Sequence, residues 1–194
     1  AIADLAERRA SAEGAGAARR EAAERLGVNP DAPTLLVTGG SLGALHVNES
    51  MTGGADALPE GAQVIHLTGR GKDEPVRKAV EAAGLSDRWH VIDYLTTMED
   101  ALAVADLVVC RSGAGTVAEM EALGLPCIYV PLPIGNGEQR LNAADHVAAG
   151  GAQLIDDKDF TAEFVRRNVF PLLGSTRLAD MAAASQSLGR AGAA

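Results

Sequence analysis

Short apolar runs without polar alternation recur along the chain from residue 34 onwards. The clearest are LLV at 35–37, LVV at 107–109 and IYV at 128–130. Strands that are apolar on both faces are typical of a parallel sheet covered by helices on each side. Stretches of helical composition, each bounded by Gly, Pro or a polar capping residue, separate these runs. The pattern predicts an α/β fold: a Rossmann-like, doubly wound parallel sheet of about six strands with helices on both faces.

The element boundaries follow from the turn residues between the runs. The predicted strands lie near Thr34–Thr38, Gln63–Thr68, His90–Tyr94, Leu107–Cys110, Cys127–Val130 and Gln153–Ile155. The predicted helices lie near Ala44–Ala57, Glu74–Ala83, Met98–Ala103, Thr116–Leu123, Gln139–Ala149, Ala162–Leu173 and Ala179–Leu188.

The amino-terminal segment has a different composition from the rest. Residues 1–30 are rich in Ala, Arg and Glu and are interrupted by Gly14 and Gly16, which predicts two short helices or a helix and a linker. We expect this segment to precede one principal domain at residues 31–194. Because the chain begins with Ala1, we expect a fragment of a longer protein with an upstream domain missing, although proteolytic processing would look the same.

Charge and cysteine content narrow the class of protein. The chain has 17 Lys and Arg against 26 Asp and Glu, a net charge of −9, which opposes binding to nucleic acid or to an anionic membrane. No signal peptide and no apolar run of about 18 residues is present. Cys110 and Cys127 fall inside predicted strands as small apolar residues, which favours a reducing cytoplasm over secretion.

Two glycine-rich turns follow predicted strands and lead into helices. The first, GGSLGA from Gly39, could hold a phosphate with backbone N–H groups and the Ser41 hydroxyl, or it could be a tight turn that needs glycine for geometry alone. It lacks the G-x-G-x-x-G spacing of dinucleotide-binding folds, and Gly71-Lys72 lacks the context of a Walker loop. The second turn runs from Ser112 to Thr116. Because ligands of such sheets bind at the carboxyl ends of the strands, the two turns together predict a site for a diphosphate.

Three further residues are candidates for contacts with the same ligand. Glu119 lies one turn into the second helix, where its carboxylate could accept hydrogen bonds from both hydroxyls of a ribose, or could simply favour the helix dipole. Gln139 follows a Pro- and Gly-rich loop and can both donate to and accept from sugar hydroxyls, while Asn142 is interpreted as a helix-surface or packing polar group. Leu95 could offer its backbone to a base, or could be an ordinary core leucine.

The remaining polar residues show no pattern for catalysis or metal binding. None of the four histidines has the spacing of a metal ligand or of a nucleophile–histidine pair. The cluster from Asp156 to Asp159 is interpreted as a solvated turn with a helix cap. We therefore predict neither a metal site nor a cofactor.

Three motifs taken in order resemble the carboxyl-terminal, donor-binding half of the MurG-like glycosyltransferases. They are CRSGAGTVAE, GLPCIYVPLP and GEQRLNAA, within a similarity that extends from about Thr34 to Gly174. The resemblance implies one half of a GT-B fold, in which this half holds UDP-N-acetylglucosamine and the missing half holds the lipid I acceptor. It also implies that membrane contact belongs to the missing half, so we expect no direct membrane contact from this half and, from the charge balance, no nucleic-acid partner.

The resemblance also implies roles for individual residues. Ser41 would face the diphosphate, Leu95 would meet uracil through its backbone, and Glu119 would bind the ribose. Gln139 would bind the N-acetylglucosamine. The phosphates and sugar would be covered by Ala114, Gly115, Thr116, Val117 and Ala118. Leu42 and Glu138 stand where the family usually has Gln, which affects the finer contacts to the sugar and phosphates.

The implied reaction is an inverting transfer that converts lipid I to lipid II in peptidoglycan synthesis. The family's general base is ascribed to the missing half, so no catalytic residue is expected in this chain and the isolated chain is expected to be inactive. The full-length protein is expected at the cytoplasmic face of the cell membrane. The competing hypotheses are a GT-B transferase that uses another UDP-sugar and a stand-alone nucleotide-binding module.

Overall fold

A six-stranded, fully parallel sheet forms the centre of the molecule. The computed structural model describes residues 2–39, 44–135 and 137–193. The strand order is β3-β2-β1-β4-β5-β6. The strands are β1 (Thr34–Thr38), β2 (Gln63–Leu67), β3 (Trp89–Ile92), β4 (Leu107–Cys110), β5 (Cys127–Tyr129) and β6 (Ala152–Leu154). The predicted doubly wound sheet is confirmed, with strand bounds within two residues of the predicted ones.

Ten α-helices connect and cover the strands in the described part of the chain. They are α1 (Ile2–Arg8), α2 (Ala12–Leu26), α3 (Ala44–Gly53), α4 (Asp73–Ala82), α5 (Met98–Val104), α6 (Ala114–Leu123), α7 (Glu138–Asn142), α8 (Ala144–Ala148), α9 (Ala162–Phe164) and α10 (Thr176–Ala193). None of these helices combines the length and the apolar character needed to cross a membrane.

The two faces of the sheet bury separate apolar clusters. On β1, Leu35 and Val37 point into a cluster with Trp89 and Phe170, beneath α3, α4 and α10. Leu36 lies between them in sequence and points to the other face, with Tyr129 and residues of α1, α2, α5 and α6. All three β1 side chains are fully buried, and each contributes about 1.5–3 kcal/mol of hydrophobic stabilisation. Burial on both sides explains why the strands lack polar alternation.

The first two helices pack on the sheet domain. Ala22 and Ala23 of α2 are fully buried in the cluster shared with α5 and α6. The prediction that Gly14 and Gly16 interrupt this segment is wrong, because both lie inside α2. The interruption comes before Ser11, whose Oγ accepts a hydrogen bond from the Gly14 N–H at 3.0 Å and so caps α2. The division at residue 30 stays a prediction.

Several predicted helix bounds are also corrected. The helix predicted at Ala44–Ala57 ends at Gly53, and a separate 3₁₀ turn covers Ala55–Ala57. A Cβ on Gly54 would lie 2.7 Å from Val165 Cγ1, so the two segments meet closer than a side chain permits.

The carboxyl-terminal helices differ from their predicted forms as well. The helix predicted at Ala162–Leu173 is α9 followed by a π-helical turn and a 3₁₀ turn, because Pro171 has no N–H to donate and its ring clashes with the carbonyl four residues earlier. The helix predicted at Gln139–Ala149 is split into α7 and α8 at Ala143, which is fully buried. The last helix, predicted at Ala179–Leu188, begins at Thr176 and is longer, since Ser175 Oγ accepts from the Leu178 N–H and caps it.

Candidate functional site

Strands β1 and β4 lie side by side at the centre of the sheet and end at the same edge. Val37 of β1 is in register with Val109 of β4. The chain leaves β1 towards β2 and β3 on one side, and leaves β4 towards β5 and β6 on the other. Such a reversal of strand order opens a crevice at the carboxyl ends of the strands, where α/β proteins of this type bind ligands. We call this edge the carboxyl rim; it comprises the segments that follow the six strands.

Helices α3 and α6 begin at this rim on opposite faces of the sheet. Helix α3 contributes Val47 to one apolar cluster, and α6 contributes Met120 to the other. The two helices that follow the glycine-rich segments in sequence therefore begin at the same edge. Ser41 and Leu42 lie outside the described residues.

The N-terminus of α6 is open. Gly113 precedes the helix with φ −62° and ψ 151°, and no side chain caps it. Ala114 and Gly115 are exposed. A Cβ added to Gly113 or Gly115 would meet no atom within 4 Å, so packing within the protein does not require glycine at either position. The first N–H groups of a helix have no partner within it, and together with the helix dipole they favour an anion in this space.

Among the other residues in the first two turns of α6, some side chains lie at the surface and one lies in the core. Thr116 and Glu119 are half-buried and Ala118 is exposed. No hydrogen bond or ion pair joins the Glu119 carboxylate to another described residue, so it is available to a ligand. Val117 is different: its side chain is buried in the core and its N–H donates to the Gly113 carbonyl at 3.0 Å. Val117 therefore lies beneath the open end of the helix.

Gln139 connects the segments that follow β4 and β5. Its Oε1 accepts hydrogen bonds from the Leu132 N–H at 2.7 Å and from the Ser112 N–H at 3.3 Å. Because both partners are N–H donors, the amide atom that faces them is the oxygen. The Nε2 group is then the hydrogen-bond donor of this side chain. Asn142 Nδ2 donates to the Ser112 carbonyl at 3.1 Å, which confirms its interpretation as a packing group. The structure thus brings Gln139 next to the turn that opens α6.

Arg111 was not recognised from the sequence as part of this site. Its side chain is 10% exposed, and Nη1 lies 2.5 Å from Asp157 Oδ1. The same nitrogen is 3.3 Å from the Val130 carbonyl, so Arg111 connects the ends of β4 and β5 to the segment after β6. The sequence did contain a signal for this role, since Arg111 stands directly after an apolar strand and before a turn of small residues. An Arg at such a position is buried and therefore requires polar partners.

Asp157 lies between Arg111 and α3. Its Oδ2 is 3.0 Å from Nδ1 of His46 in α3. Burial raises the pKa of the Asp157 carboxyl, but the hydrogen bonds from Arg111 and His46 outweigh this effect and the pKa is lowered. The interpretation of residues 156–159 as a merely solvated turn is therefore wrong for Asp157. The sequence held no signal for this pairing, because the partners are 46 and 111 residues away.

Leu95 follows β3 at the same rim and is half-buried, with its side chain against the core cluster. This contact agrees with the interpretation of Leu95 as a core leucine and leaves its backbone open to the role that the resemblance implies.

The preceding Tyr94 is 52% exposed, and the Arg70 guanidinium lies 3.7 Å from its ring centroid. Three strand spacings separate β3 from β4, or about 14 Å. An extended nucleoside diphosphate sugar has this length scale.

A buried polar chain supports α3 behind the rim. His66 Nε2 lies 2.8 Å from Asn48 Oδ1, and the Trp89 indole N–H donates to His66 Nδ1 at 3.1 Å. The Asn48 amide donates to the Thr68 carbonyl at 3.0 Å. Burial lowers the pKa of His66 to about 3, so the ring is neutral and donates from Nε2. Across residues 2–39, 44–135 and 137–193, no group of three His, Cys, Asp or Glu side chains could hold a metal ion.

Comparisons with known proteins identify the family of this chain. Residues 34–194 match the model of the glycosyltransferase family 28 C-terminal domain. A relative from Bifidobacterium longum strain DJO10A is 51% identical over 179 residues, covering 84% of this chain and 45% of that protein. It is named UDP-N-acetylglucosamine–N-acetylmuramyl-(pentapeptide) pyrophosphoryl-undecaprenol N-acetylglucosamine transferase. A relative of the same name from Streptomyces coelicolor is 46% identical over 176 residues, covering 90% of this chain and 48% of that protein.

Solved structures give the same answer for the fold. The crystal structure of Acinetobacter baumannii MurG matches with a TM-score of 0.71 and 26% identity, over 86% of this chain and 48% of that one. A UDP-2-fluoro-glucose complex of Phytolacca americana UGT2 matches with a TM-score of 0.65 at 19% identity, which shows a shared fold alone. The chain spans about half the length of the curated relatives it matches. It belongs to the glycosyltransferase family 28 C-terminal domain family.

Proposed function

We propose that this chain is the donor-binding half of an inverting N-acetylglucosaminyltransferase that forms lipid II from lipid I in peptidoglycan synthesis. The observation that carries the proposal is the open, uncapped N-terminus of α6, which lies beside Gln139 at the central crevice of the sheet. The names of the relatives supply the substrates: a UDP-N-acetylglucosamine donor and an N-acetylmuramyl-pentapeptide pyrophosphoryl-undecaprenol acceptor.

Each of the candidate residues would bind a different part of the UDP-N-acetylglucosamine donor. Leu95 would hold uracil through its backbone, and Glu119 would accept hydrogen bonds from the ribose hydroxyls. The N–H groups of the α6 N-terminus, with Ser41, would hold the diphosphate. Gln139 would donate from Nε2 to the N-acetylglucosamine, since its oxygen already accepts two backbone hydrogen bonds. The side chain of Val117 supports this surface from beneath.

The contribution of this half to the reaction is electrostatic. In an inverting transfer, the acceptor hydroxyl attacks the anomeric carbon while the bond to the UDP oxygen breaks, and negative charge builds on the departing diphosphate. N–H groups that already point at this position stabilise that charge with little reorganisation. No residue of this chain is proposed as the general base. We place that base, and the lipid I site, in the half of the relatives that this chain does not span, so the isolated chain binds donor without turnover.

The charge of this half bears on where the full-length protein meets the membrane. The acidic balance of the chain disfavours contact with anionic lipid, so the full-length protein would meet the cytoplasmic face of the membrane through its other half. We propose neither a metal nor a cofactor for this half.

Calorimetric titration of the purified chain tests the proposal. UDP-N-acetylglucosamine, UDP-glucose, UDP and NAD are each added under the same conditions. We expect UDP-N-acetylglucosamine to bind more tightly than UDP-glucose, UDP to bind measurably and NAD not to bind. Tighter binding of UDP-glucose would favour a transferase of another sugar. Binding of NAD but not of UDP would instead favour a stand-alone nucleotide module and would overturn the proposal.

A further inference from the structure

Asp157 connects two parts of the carboxyl rim that are distant in sequence. One carboxylate oxygen bonds to Arg111, which directly precedes the turn into α6, and the other bonds to His46 in the first turn of α3. We propose that Asp157 is a positioning residue, which holds the starts of α3 and α6 in the arrangement that accepts the donor diphosphate. This inference rests on the function proposed above.

The burial of Arg111 makes Asp157 necessary for the local arrangement. The Arg111 side chain is 10% exposed and that of Asp157 is 18% exposed, so solvent screens this ion pair less than a surface pair. A buried guanidinium that loses its counter-ion is left as an uncompensated charge. Without Asp157, we expect the Arg111 side chain to turn towards solvent, which would release its hydrogen bond to the Val130 carbonyl.

Movement of Arg111 would reach the diphosphate site through the main chain. Only Ser112 and Gly113 separate Arg111 from the first residue of α6. The Ser112 N–H also donates to Gln139, and the Ser112 carbonyl accepts from Asn142. The turn is thus held by Arg111 on one side and by α7 on the other. Loss of the Arg111 anchor would let the start of α6, with its N–H groups, move away from the position of the diphosphate.

His46 extends the connection to the opposite face of the sheet. Helices α3 and α6 pack on different faces, so they share no side-chain layer that could fix their relative position. The His46–Asp157–Arg111 chain provides a polar connection between them. A ligand that bridges two helix N-termini binds more tightly when both are already in place, because less ordering is required on binding.

The first experiment compares Asp157→Asn with Asp159→Asn. Both variants remove one negative charge from the same turn, but the Asp159 side chain is exposed and makes no side-chain hydrogen bond or ion pair to a described residue. UDP and uridine affinities are measured for each variant by calorimetry and by NMR titration. We expect Asp157→Asn to weaken UDP about tenfold and to leave uridine unchanged, because only UDP carries the diphosphate. Asp159→Asn should match the parent for both ligands.

Restoration of the charge provides the next test. Asp157→Glu keeps a carboxylate on a longer side chain, and we expect it to recover at least part of the UDP affinity lost in Asp157→Asn. His46→Leu removes the other partner of Asp157. The His46 side chain is 40% exposed, so we expect this variant to fold, and it provides a second test if Asp157→Asn does not fold. We expect His46→Leu to weaken UDP, and the double variant with Asp157→Asn to lose less than the sum of the two losses.

The outcomes separate this inference from the function on which it rests. If the parent chain binds UDP and Asp157→Asn binds it as tightly as Asp159→Asn does, the positioning role is overturned and the proposed function stands. Equal weakening of UDP and uridine would also overturn it, because that result indicates general loss of structure. A parent chain that does not bind UDP would overturn both.

Discussion

The side-chain oxygen of Gln139 accepts a hydrogen bond from the Leu132 N–H at 2.7 Å. The residue proposed to bind the sugar therefore also closes the loop that carries it. Its second bond, from the Ser112 N–H at 3.3 Å, extends this closure to the turn before α6. In the proposed function, sugar binding depends on the Nε2 end of this amide group, while its oxygen end fixes the turn before α6.

Two substitutions separate these functions of Gln139. Gln139→Ala leaves two backbone N–H groups without their acceptor, so we expect the free energy of unfolding to fall by about 1–3 kcal/mol and the affinity for both UDP and UDP-N-acetylglucosamine to fall. Gln139→Glu keeps an acceptor oxygen but loses the Nε2 donor, so it should retain stability and reduce the preference for the sugar nucleotide over UDP. Urea unfolding and calorimetry measure these effects. An unfolding midpoint of Gln139→Ala equal to that of the parent would contradict the structural role.

Glu119 should affect binding without affecting stability. Its carboxylate makes no hydrogen bond or ion pair with another described residue, so Glu119→Ala should unfold at the same urea concentration as the parent. We expect its UDP affinity to fall by about 1–3 kcal/mol through the lost ribose hydrogen bonds. Glu121→Ala, two residues further along α6, provides a control with the same charge change and should bind UDP normally. Equal UDP affinities for Glu119→Ala and the parent would remove Glu119 from the site.

Gly115→Ala should move stability and binding in opposite directions. A Cβ at this position meets no protein atom within 4 Å, and alanine favours the helix over glycine by about 0.5–1 kcal/mol. The added methyl group would, however, occupy the space through which the diphosphate approaches the N–H groups. We expect a higher melting temperature together with weaker UDP binding. Gly192→Ala, at an equally open position in α10, is the control, and a Gly115→Ala variant that binds UDP like the parent would place the diphosphate elsewhere.

Packing of α10 against α6 depends on Gly189. A Cβ there would lie 2.5 Å from the Glu121 carbonyl oxygen, which is closer than any side chain permits. Gly189→Ala should therefore push the helices apart and lower the free energy of unfolding by about 1–3 kcal/mol. Comparison with Gly192→Ala by thermal unfolding corrects for the change in helix propensity. Identical melting temperatures of the two variants would show that the close approach of these helices contributes little.

Stability should fall as the pH is lowered through the mildly acidic range. Burial lowers the pKa of His66 to about 3 and that of His146 to about 4, against about 6.5 in the unfolded chain. Between those values the unfolded state binds more protons, so the free energy of unfolding decreases as the pH falls below about 6.5. From pH 6.5 to pH 5 the expected loss is about 2 kcal/mol for each histidine.

Urea unfolding at several pH values measures this dependence. His146→Gln should show a shallower slope between pH 6.5 and pH 5, because one of the two buried imidazoles is gone. Tyr129 OH and Ser185 Oγ each lie 2.8 Å from the His146 ring, so this variant should also be less stable than the parent at neutral pH. A free energy of unfolding that is constant from pH 7.5 to pH 5 would contradict the burial of these groups.

The sequence by itself determined where the strands lie along the chain and that they form a parallel sheet. Runs such as Leu35–Val37 have no polar position, and a strand of that kind is stable only with both faces covered, so the parallel sheet follows from local composition. The glycines at 113 and 115 pointed correctly to an open helix start, because a missing Cβ is a local property. Helix ends were predicted less well: α3 ends at Gly53, and the Gly54 that follows packs closely against Val165, a contact that the local sequence does not show.

Only the tertiary structure decided which polar groups meet. Asp157 resembles any carboxylate in a surface turn until folding brings it within hydrogen-bond distance of Arg111, which follows β4, and of His46 in α3. Gln139 was recognised as a polar group near the site, but its bond to the Ser112 N–H depends on the adjacency of β4 and β5. Hydrophobic periodicity is a property of residues that are close in sequence, so the sequence shows it directly. Hydrogen bonds between distant segments depend on the relative positions of whole strands, which only the folded structure fixes.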